Sequence, residues 1–219
     1  MVDYAKARLN MVDCQLRTNG VTAPAILECF SSVPREAFLD GDLKQSAYVD
    51  DDLPLPGGFL MEPLVFARMI EVAKPVPTDT VLNLGDVTGY ASAILSGVTG
   101  KVVTLEQKPG WLKGAQAQWS AMGRGNIVVD TGDIFNGCPA LAPYTLILIN
   151  GAVTQVPETL LAQLKNSGRL VAVVKAQNNR TGEVTLVEKD SDGVYSHRAI
   201  FDASVPYLPG CEPPQTFKF

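Results

Sequence analysis

Residues 81–95 read VLNLGDVTGYASAIL, and this stretch decides the fold class. An apolar run, a tight turn between two glycines and a second run of small and apolar residues indicate a strand, a loop and a helix in succession. The free N–H groups at the start of such a helix favour an anion, so the stretch has the outline of a nucleotide-binding loop. Val87 stands, however, where such loops usually carry their middle glycine, and Asn83 stands where many carry an acid.

The alternation of strands and helices continues on the C-terminal side of this loop. Strands are predicted in TVLNLG, KVVTLE, NIVVDTGD, YTLILIN and RLVAVVKA, and helices in GYASAILSGV, WLKGAQAQWSAM and PETLLAQLK. Strands that are continuously apolar, without polar residues at alternate positions, and that are separated by helices predict a parallel sheet covered on both faces. EVTLVEKD and VYSHRAIFDA, which flank the turn signal Ser191-Asp192-Gly193, predict an antiparallel hairpin at its end.

Residues 1–77 lack this alternation and predict an N-terminal helical extension. Helices are predicted in DYAKARLNMVDCQLRT, APAILECFSSV and EPLVFARMIEVAK. Residues 41–62 are predicted to be a loop because they carry Pro54, Pro56, Gly57 and Gly58. We therefore expect one compact unit, in which the extension packs on an α/β domain at residues 78–219 with a mostly parallel, twisted sheet.

Composition excludes several classes of function. The chain has 219 residues, a net charge of −5 and a pI of about 4.9, without a lysine and arginine cluster, which argues against nucleic acid and against a membrane surface. Neither a signal peptide nor a membrane span is recognisable, so we expect a cytoplasmic protein. The spacing of the four cysteines and the presence of His197 as the one histidine argue against a metal site and against histidine-dependent hydrolysis.

Candidate binding residues lie where the predicted strands end, the place at which an open parallel sheet binds its ligands. They are Gly85, Asp86, Val87 and Gly89 in the first loop, and Glu106, Asp133 and Asn150 in the next three. Glu106 lies near the spacing of about 20 residues at which a nucleotide fold places its ribose-binding acid, and Asp133 could accept from an adenine amino group. Either acid alone could equally be a solvated strand end or a turn residue. Together they favour an adenosyl ligand, and the incomplete glycine fingerprint favours a single adenosyl group over a dinucleotide.

Motifs over most of the chain are similar to those of one family. They are MVDCQLRTNGV, SSVPREAFL, AYVDDDLPLPGG, VVDTGD and VPETLLAQLKNSGRLVAVV. In this combination the chain resembles the protein-L-isoaspartate O-methyltransferases. The resemblance implies a Rossmann-like class I methyltransferase fold and protein repair, in which a methyl group passes from S-adenosylmethionine to the carboxylate of an isomerised aspartate in a protein or peptide substrate.

The cofactor loop departs from the family pattern. The family reads acid-x-Gly-x-Gly-x-Gly, and the corresponding residues here are Asn83, Gly85, Val87 and Gly89. Asn83 carries no charge to hold the methionine amino group, and the branched side chain of Val87 resists positive φ. Asp86 is either a replacement for the lost acid or a cap of the following helix, a role that we expect Thr88 to take. Thr145 stands at the position of a further family acid.

The substrate loop, GGFLMEP at residues 57–63, departs further. Met61 occupies the place of the family hydroxyl that orients the acceptor carboxylate, so no catalytic residue of the family is retained there. Phe59, Leu60 and Met61 are instead expected to form an apolar plug or core contacts. Glu62 would repel an incoming carboxylate if it faces the pocket. A carboxylate is already a nucleophile, so losing the hydroxyl removes positioning and leaves the nucleophile in place.

Three functions are compatible with these residues. They are the methyl transfer of the family, methyl transfer to a different acceptor, and a binding or assembly role in a protein that has kept the fold and lost catalysis. We take the family activity as the function. We also hypothesise that the loop from Gly85 to Gly89 keeps its shape but binds S-adenosylmethionine weakly or not at all. The sequence specifies neither the acceptor nor the oligomeric state.

Overall fold

The computed structural model describes residues 2–177 and 179–213 and contains a small and a large β-sheet. The strands are β1 Leu53–Leu55, β2 Gly58–Leu60, β3 Thr80–Leu84, β4 Lys101–Glu106, β5 Ile127–Thr131, β6 Tyr144–Val153, β7 Leu164–Val174, β8 Gly182–Lys189 and β9 Tyr195–Ala203. The helices are α1 Tyr4–Asn10, α2 Pro24–Ser32, α3 Pro63–Ala73, α4 Tyr90–Ser96, α5 Lys113–Ala121 and α6 Glu158–Leu161. Within the described ranges, no helix is both long and apolar enough to cross a membrane.

The large sheet has seven strands in the spatial order β5-β4-β3-β6-β7-β8-β9. The pairs from β5 to β7 are parallel, and β8 and β9 close the sheet as an antiparallel hairpin. Val81, Leu82, Val102 and Val103 are fully buried although they are neighbours in sequence. Strands that are buried on both faces need no polar alternation, which is why these runs are continuously apolar. The predicted mostly parallel sheet with a terminal hairpin is confirmed.

The direction of winding reverses between β3 and β6, which is the place where such sheets bind ligands. Leu84 of β3 pairs with Leu105 of β4 on one side and with Ile149 of β6 on the other. Gly85, Glu106 and Asn150 follow these three residues directly, so the register places them side by side at one edge of the sheet.

The N-terminal helices pack on the sheet through an aromatic cluster. The Phe30 and Phe66 rings have centroids 5.8 Å apart, and the Phe38 ring lies 5.7 Å from the ring of Tyr90 on α4. Phe30, Phe66 and Tyr90 are each at most 2% exposed. These aromatic contacts join the N-terminal extension to the sheet. The boundary between the extension and the α/β domain at residues 77 and 78 stays a prediction.

Two segments differ from their sequence-based expectations. Residues 41–62, expected to be a loop, contain the 3₁₀ segment Gly41–Ser46 and the β1–β2 hairpin. The helix expected over PETLLAQLK ends at Leu161, because buried Leu164 already pairs with Tyr144 as part of β7. Burial of Leu164 beside the sheet outweighs the weak helical preference of a short segment.

Candidate functional site

The glycine loop has the expected strand–turn–helix shape. Gly85 and Gly89 have φ values of +80° and +82°, a region that only glycine enters at low cost. A methyl group on Gly89 would lie 2.3 Å from Cβ of Ala115, so this glycine also allows α5 to approach α4 closely. Val87 is not among the residues with positive φ. The strain expected for valine at this position therefore does not arise.

Asp86 caps helix α4 and does not face an open pocket. Its side chain accepts hydrogen bonds from the Gly89 amide at 2.7 Å, from the Ser92 amide at 2.8 Å and from the Ser92 hydroxyl at 2.7 Å. Thr88, the expected cap, accepts from the Tyr90 amide at 3.1 Å. Side chains of the protein itself thus accept from three amides at the start of this helix, where an anion could otherwise have bound.

Asn83 is fully buried and links Asp86 to the neighbouring strand. Its amide donates to the Ser92 hydroxyl at 3.0 Å and to the Asp86 carboxylate at 3.3 Å, and its carbonyl accepts from Asn150 at 2.5 Å. An acid at position 83 would place a second carboxylate against Asp86. The neutral Asn83 is therefore compatible with the carboxylate of Asp86 beside it. The acid that the family carries at position 83 is replaced here by an acid three residues later in the chain.

Glu106 lies at the expected strand end, but its carboxylate already has partners. One oxygen accepts from the Gly110 amide at 2.9 Å and the other from the Leu112 amide at 3.1 Å. Asp133 is exposed and accepts from the Phe135 amide at 2.9 Å, as a turn residue does. The structure thus brings Glu106 to the same edge as Gly85 and places Asp133 beyond the end of β5.

Side chains of this protein fill the crevice between Gly85 and Gly151, which we call the switch-point crevice. A methyl group on Gly85 would lie 2.6 Å from Cδ2 of Leu208, and one on Gly151 would lie 2.5 Å from the same atom and 3.2 Å from Cζ of Phe59. A cavity beside this crevice has a volume of about 10 Å³, enough for about one water molecule. It is lined by Phe59, Leu60, Met61, Phe66, Gly85, Asp86, Tyr90, Ala91 and Asn150.

The three apolar residues of the substrate loop point inward. Phe59, Leu60 and Met61 are 7%, 5% and 4% exposed, whereas Glu62 is half-buried. The carbonyl oxygen of Met61 accepts a hydrogen bond of 2.7 Å from Nη2 of the fully buried Arg35. Arg35 therefore fixes the end of β2, which places the Met61 side chain at the edge of the switch-point crevice.

An acidic cluster surrounds the base of the β1–β2 hairpin. Asp50 accepts from the Leu64 amide at 3.3 Å and Asp52 from the Glu62 amide at 2.8 Å, so both carboxylates cap α3. Burial raises the pKa of Asp52 to about 6, with a further contribution from Asp51. Burial, followed by the charges of Asp52, Asp50 and Asp51, raises the pKa of Glu62 to about 7.

The free energy of unfolding is expected to fall as the pH rises from about 4 to 7. A carboxyl whose pKa is higher in the folded chain binds its proton more tightly there, so its contribution is present at low pH and is lost between about pH 4 and 7. We predict that Glu62→Gln flattens the decline in the free energy of unfolding, measured by urea titration at pH 5 and pH 8. Glu183→Gln, an exposed site on β8, is the control. An equal decline in the Glu62→Gln protein and the unmodified protein would contradict the prediction.

Two residues that shape the site were not found from the sequence. Leu208 lies in a proline-rich tail in which no motif distinguishes it. Arg35 lies in the motif SSVPREAFL, but no sequence pattern predicts that it is buried with backbone carbonyls as its hydrogen-bond acceptors, and no carboxylate of the described residues hydrogen-bonds to it. A buried arginine that bonds backbone carbonyls has no sequence pattern of its own.

Comparison with known proteins gives one consistent family. The family model for protein-L-isoaspartate(D-aspartate) O-methyltransferase matches residues 7–212. The chain is 34% identical over 211 residues to the protein-L-isoaspartate O-methyltransferase of Roseiflexus sp. (strain RS-1), covering 95% of both chains. It is 36% identical over 193 residues to that of Pelotomaculum thermopropionicum, covering 88% of this chain and 83% of the relative.

Solved structures agree with these relatives. A protein-L-isoaspartate O-methyltransferase structure superposes with a TM-score of 0.78 at 25% identity, covering 91% of this chain and 65% of the other, longer one. A Plasmodium falciparum structure described as a protein-L-isoaspartate O-methyltransferase in complex with S-adenosyl-L-homocysteine gives 0.76 at 14% identity, covering 95% and 99% of the two chains. At that identity, the second likeness concerns the fold alone.

Proposed function

The chain belongs to the protein-L-isoaspartate O-methyltransferase family, and from this premise we propose that it transfers a methyl group from S-adenosylmethionine to a carboxylate of a damaged protein. The observation that carries the proposal is the extent of the family match, which spans nearly the whole chain. The family resemblance and the class I methyltransferase fold expected from the sequence are both confirmed.

We assign the strand-end residues to parts of the cofactor by their positions in the fold. Glu106 would contact the ribose hydroxyls, Asp133 would lie near the adenine, and Asn150 with the loop from Gly85 to Gly89 would border the methionine part. Bound S-adenosylmethionine would supply an electrophilic methyl group on a positively charged sulfur. Since a carboxylate acceptor is already a nucleophile, the protein's task is to align the acceptor and to exclude water.

As they are arranged, the residues of the switch-point crevice leave no room for the methionine part of the cofactor. The cavity beside Gly85 and Asn150 has a volume of about 10 Å³, far smaller than the methionine part of the cofactor that these residues would border, and Leu208 occupies the crevice between Gly85 and Gly151. The carboxylate of Glu106 is engaged by amides of the chain itself. Met61 supplies no hydroxyl for the acceptor. We therefore derive no step of the transfer from this arrangement.

The substrate and location belong to the same proposal. A protein or peptide acceptor follows from the family. A cytoplasmic location is supported by the four cysteines, which are all free thiols, as expected in a reducing compartment.

Calorimetric titration with S-adenosylmethionine and S-adenosylhomocysteine, together with methylation of an isoaspartyl peptide, tests the proposal. Binding of these compounds with formation of a methyl ester is the expected result. Binding without transfer to that peptide would favour a different acceptor. If neither the unmodified protein nor a variant with an opened crevice binds either compound, the methyl-transfer proposal fails and a non-catalytic binding role replaces it.

Glu106→Ala is expected to weaken the binding of S-adenosylhomocysteine by about 1.5–3 kcal/mol, the scale of hydrogen bonds to a charged group. The substitution also removes the acceptor of the Gly110 and Leu112 amides, so the loop after β4 should exchange its amide hydrogens faster. Calorimetry measures the first effect and hydrogen exchange the second. Glu183→Ala, on the exposed side of β8, is the control. An unchanged affinity would remove Glu106 from the binding site.

A further inference from the structure

The closing segments are the β1–β2 hairpin and residues 205–211, and both lie over the switch-point crevice. We propose that they form an autoinhibitory closure, in which Leu208 and Phe59 must leave the crevice before an adenosyl cofactor can enter. The inference rests on the proposed function, because it concerns access to the same site. It names the two side chains that control this access.

Leu208 is the central element of the closure. Its side chain is 2% exposed and touches the backbone on both sides of the crevice, since methyl groups on Gly85 and Gly151 would lie 2.6 Å and 2.5 Å from its Cδ2 atom. Gly85 follows β3 directly and Gly151 lies in β6, and the winding of the sheet reverses between these two strands. Open α/β sheets bind their ligands in the crevice at such a switch point, and the Leu208 side chain occupies part of that crevice.

The hairpin extends the closure from the crevice to the loop after β4. Phe59 lies beside Gly151, as its Cζ atom would be 3.2 Å from a methyl group there. At the tip of the hairpin, methyl groups on Gly57 and Gly58 would lie 2.4 Å from Trp111 and 3.0 Å from Val87. The hairpin therefore covers the path from the glycine loop to the segment that follows Glu106.

Hydrogen bonds and the burial of Val205, Leu208 and Cys211 hold the tail segment in place. Ala152 donates to the Pro206 carbonyl at 2.9 Å and accepts from the Leu208 amide at 3.0 Å. The Tyr207 hydroxyl donates to the Lys175 carbonyl at 2.9 Å, and Lys175 Nζ donates to the Val205 carbonyl at 2.5 Å. The segment follows β9, so breaking these bonds and exposing these side chains releases it without unfolding a strand.

The two closing segments are attached separately. An open groove of about 360 Å³ lies between them, lined by Asp52, Pro54, Phe59, Pro206, Tyr207 and Pro209 among others. Each strand of the hairpin has three residues, and a two-stranded hairpin of this size is only marginally stable without contacts to the rest of the protein. Local opening of such segments costs less than global unfolding. The closure can therefore open while the large sheet stays folded.

Leu208→Ala tests the closure directly. We expect affinity for S-adenosylhomocysteine to rise at least tenfold, measured by calorimetry, and amide exchange to accelerate in residues 53–60 and 205–211. Leu9→Ala is the matched control, because Leu9 is 53% exposed on α1.

Tyr207→Phe removes a tail contact without enlarging the crevice, so it provides a second variant if Leu208→Ala does not fold. For Tyr207→Phe we expect faster exchange of residues 205–211 and a twofold to fivefold gain in affinity.

The outcomes separate the closure from the proposed function. Faster exchange in Leu208→Ala without a gain in affinity would overturn the closure, as would full binding by the unmodified protein with both closing segments still protected. If Leu208→Ala binds S-adenosylhomocysteine more tightly but no variant methylates an isoaspartyl peptide, the closure stands and the proposed function fails. If the unmodified protein methylates the peptide and Leu208→Ala changes neither affinity nor exchange, the function stands and the closure is wrong.

Discussion

Replacing Asp79 by alanine is expected to lower the free energy of unfolding by about 3–5 kcal/mol, the cost of leaving one charge of a buried ion pair without its partner. Asp79 is 3% exposed and accepts from Arg169 at 2.7 and 2.9 Å, from the Thr145 hydroxyl at 2.7 Å and from the Val76 amide at 2.8 Å. Burial alone would raise the pKa of Asp79, but these hydrogen bonds hold the pKa below its ordinary value. Loss of the carboxylate would leave the guanidinium of Arg169 without a countercharge beneath the end of α3.

Urea titration measures this loss, and the chain contains a matched control. Asp13→Ala removes an aspartate that pairs with Arg17 at 3.1 Å, but in this pair the side chains are 64% and 57% exposed. An exposed pair of this kind contributes about 0.5 kcal/mol or less. If both substitutions lowered the free energy of unfolding by the same amount, the buried network around Asp79 would not have the role assigned to it.

Arg35→Met is expected to lower the free energy of unfolding by about 2–6 kcal/mol. Arg35 is fully buried and donates from Nε to the Ala47 carbonyl and from Nη2 to the Met61 carbonyl, each at 2.7 Å. Methionine keeps much of the volume but leaves both carbonyls without a donor, at about 1–3 kcal/mol for each. The guanidinium also lies 5.0 Å from the centre of the Tyr90 ring, a contact that methionine replaces only in part.

Arg35→Lys separates the loss of charge from the loss of geometry. Lysine keeps the charge, but a single ammonium group cannot reproduce the planar donor pair that reaches two carbonyls, so we expect an intermediate loss. Arg17→Met, at an exposed position, should stay within about 0.5 kcal/mol of the unmodified protein. Full stability of Arg35→Met in urea titration would show that Ala47 and Met61 find other donors, and would remove Arg35 as the anchor of the hairpin.

Local patterns were sufficient to predict most of the fold. The continuous apolar runs around Leu82 and Val103 predicted strands buried on both faces, and the turn signal Ser191-Asp192-Gly193 predicted the terminal hairpin; both are confirmed. The β1–β2 hairpin and the early end of α6 were missed. Each depends on contacts with distant residues, such as the pairing of Leu164 with Tyr144, and such pairing outweighs the preference of a short segment.

The sequence predicted where the residues of the candidate site lie, but not which groups their side chains contact. Spacing placed Gly85, Glu106 and Asn150 at strand ends, and the register of the parallel strands brings them together. Spacing could not show that the Glu106 carboxylate turns toward the amides of its own loop. It also could not show that Asp86, offered as a substitute acid or as a cap, takes the cap with three hydrogen bonds. The direction of a carboxylate depends on which donors the folded chain places around it.

The sequence by itself determined the family, the order of strands and helices and the edge of the sheet at which a ligand would bind. These features follow from residue periodicity, turn residues and strand ends, which are all local in the chain. Only the tertiary structure decided which side chains occupy the switch-point crevice at that edge. Phe59 precedes Gly85 in the sequence, whereas Leu208 follows it. The two side chains meet beside Gly151 because residues 206 and 208 hydrogen-bond to Ala152 and because Arg35 hydrogen-bonds to the carbonyl of Met61. Close packing of residues so distant in sequence leaves no local pattern, because the same side chains would be equally acceptable in any buried position of their size.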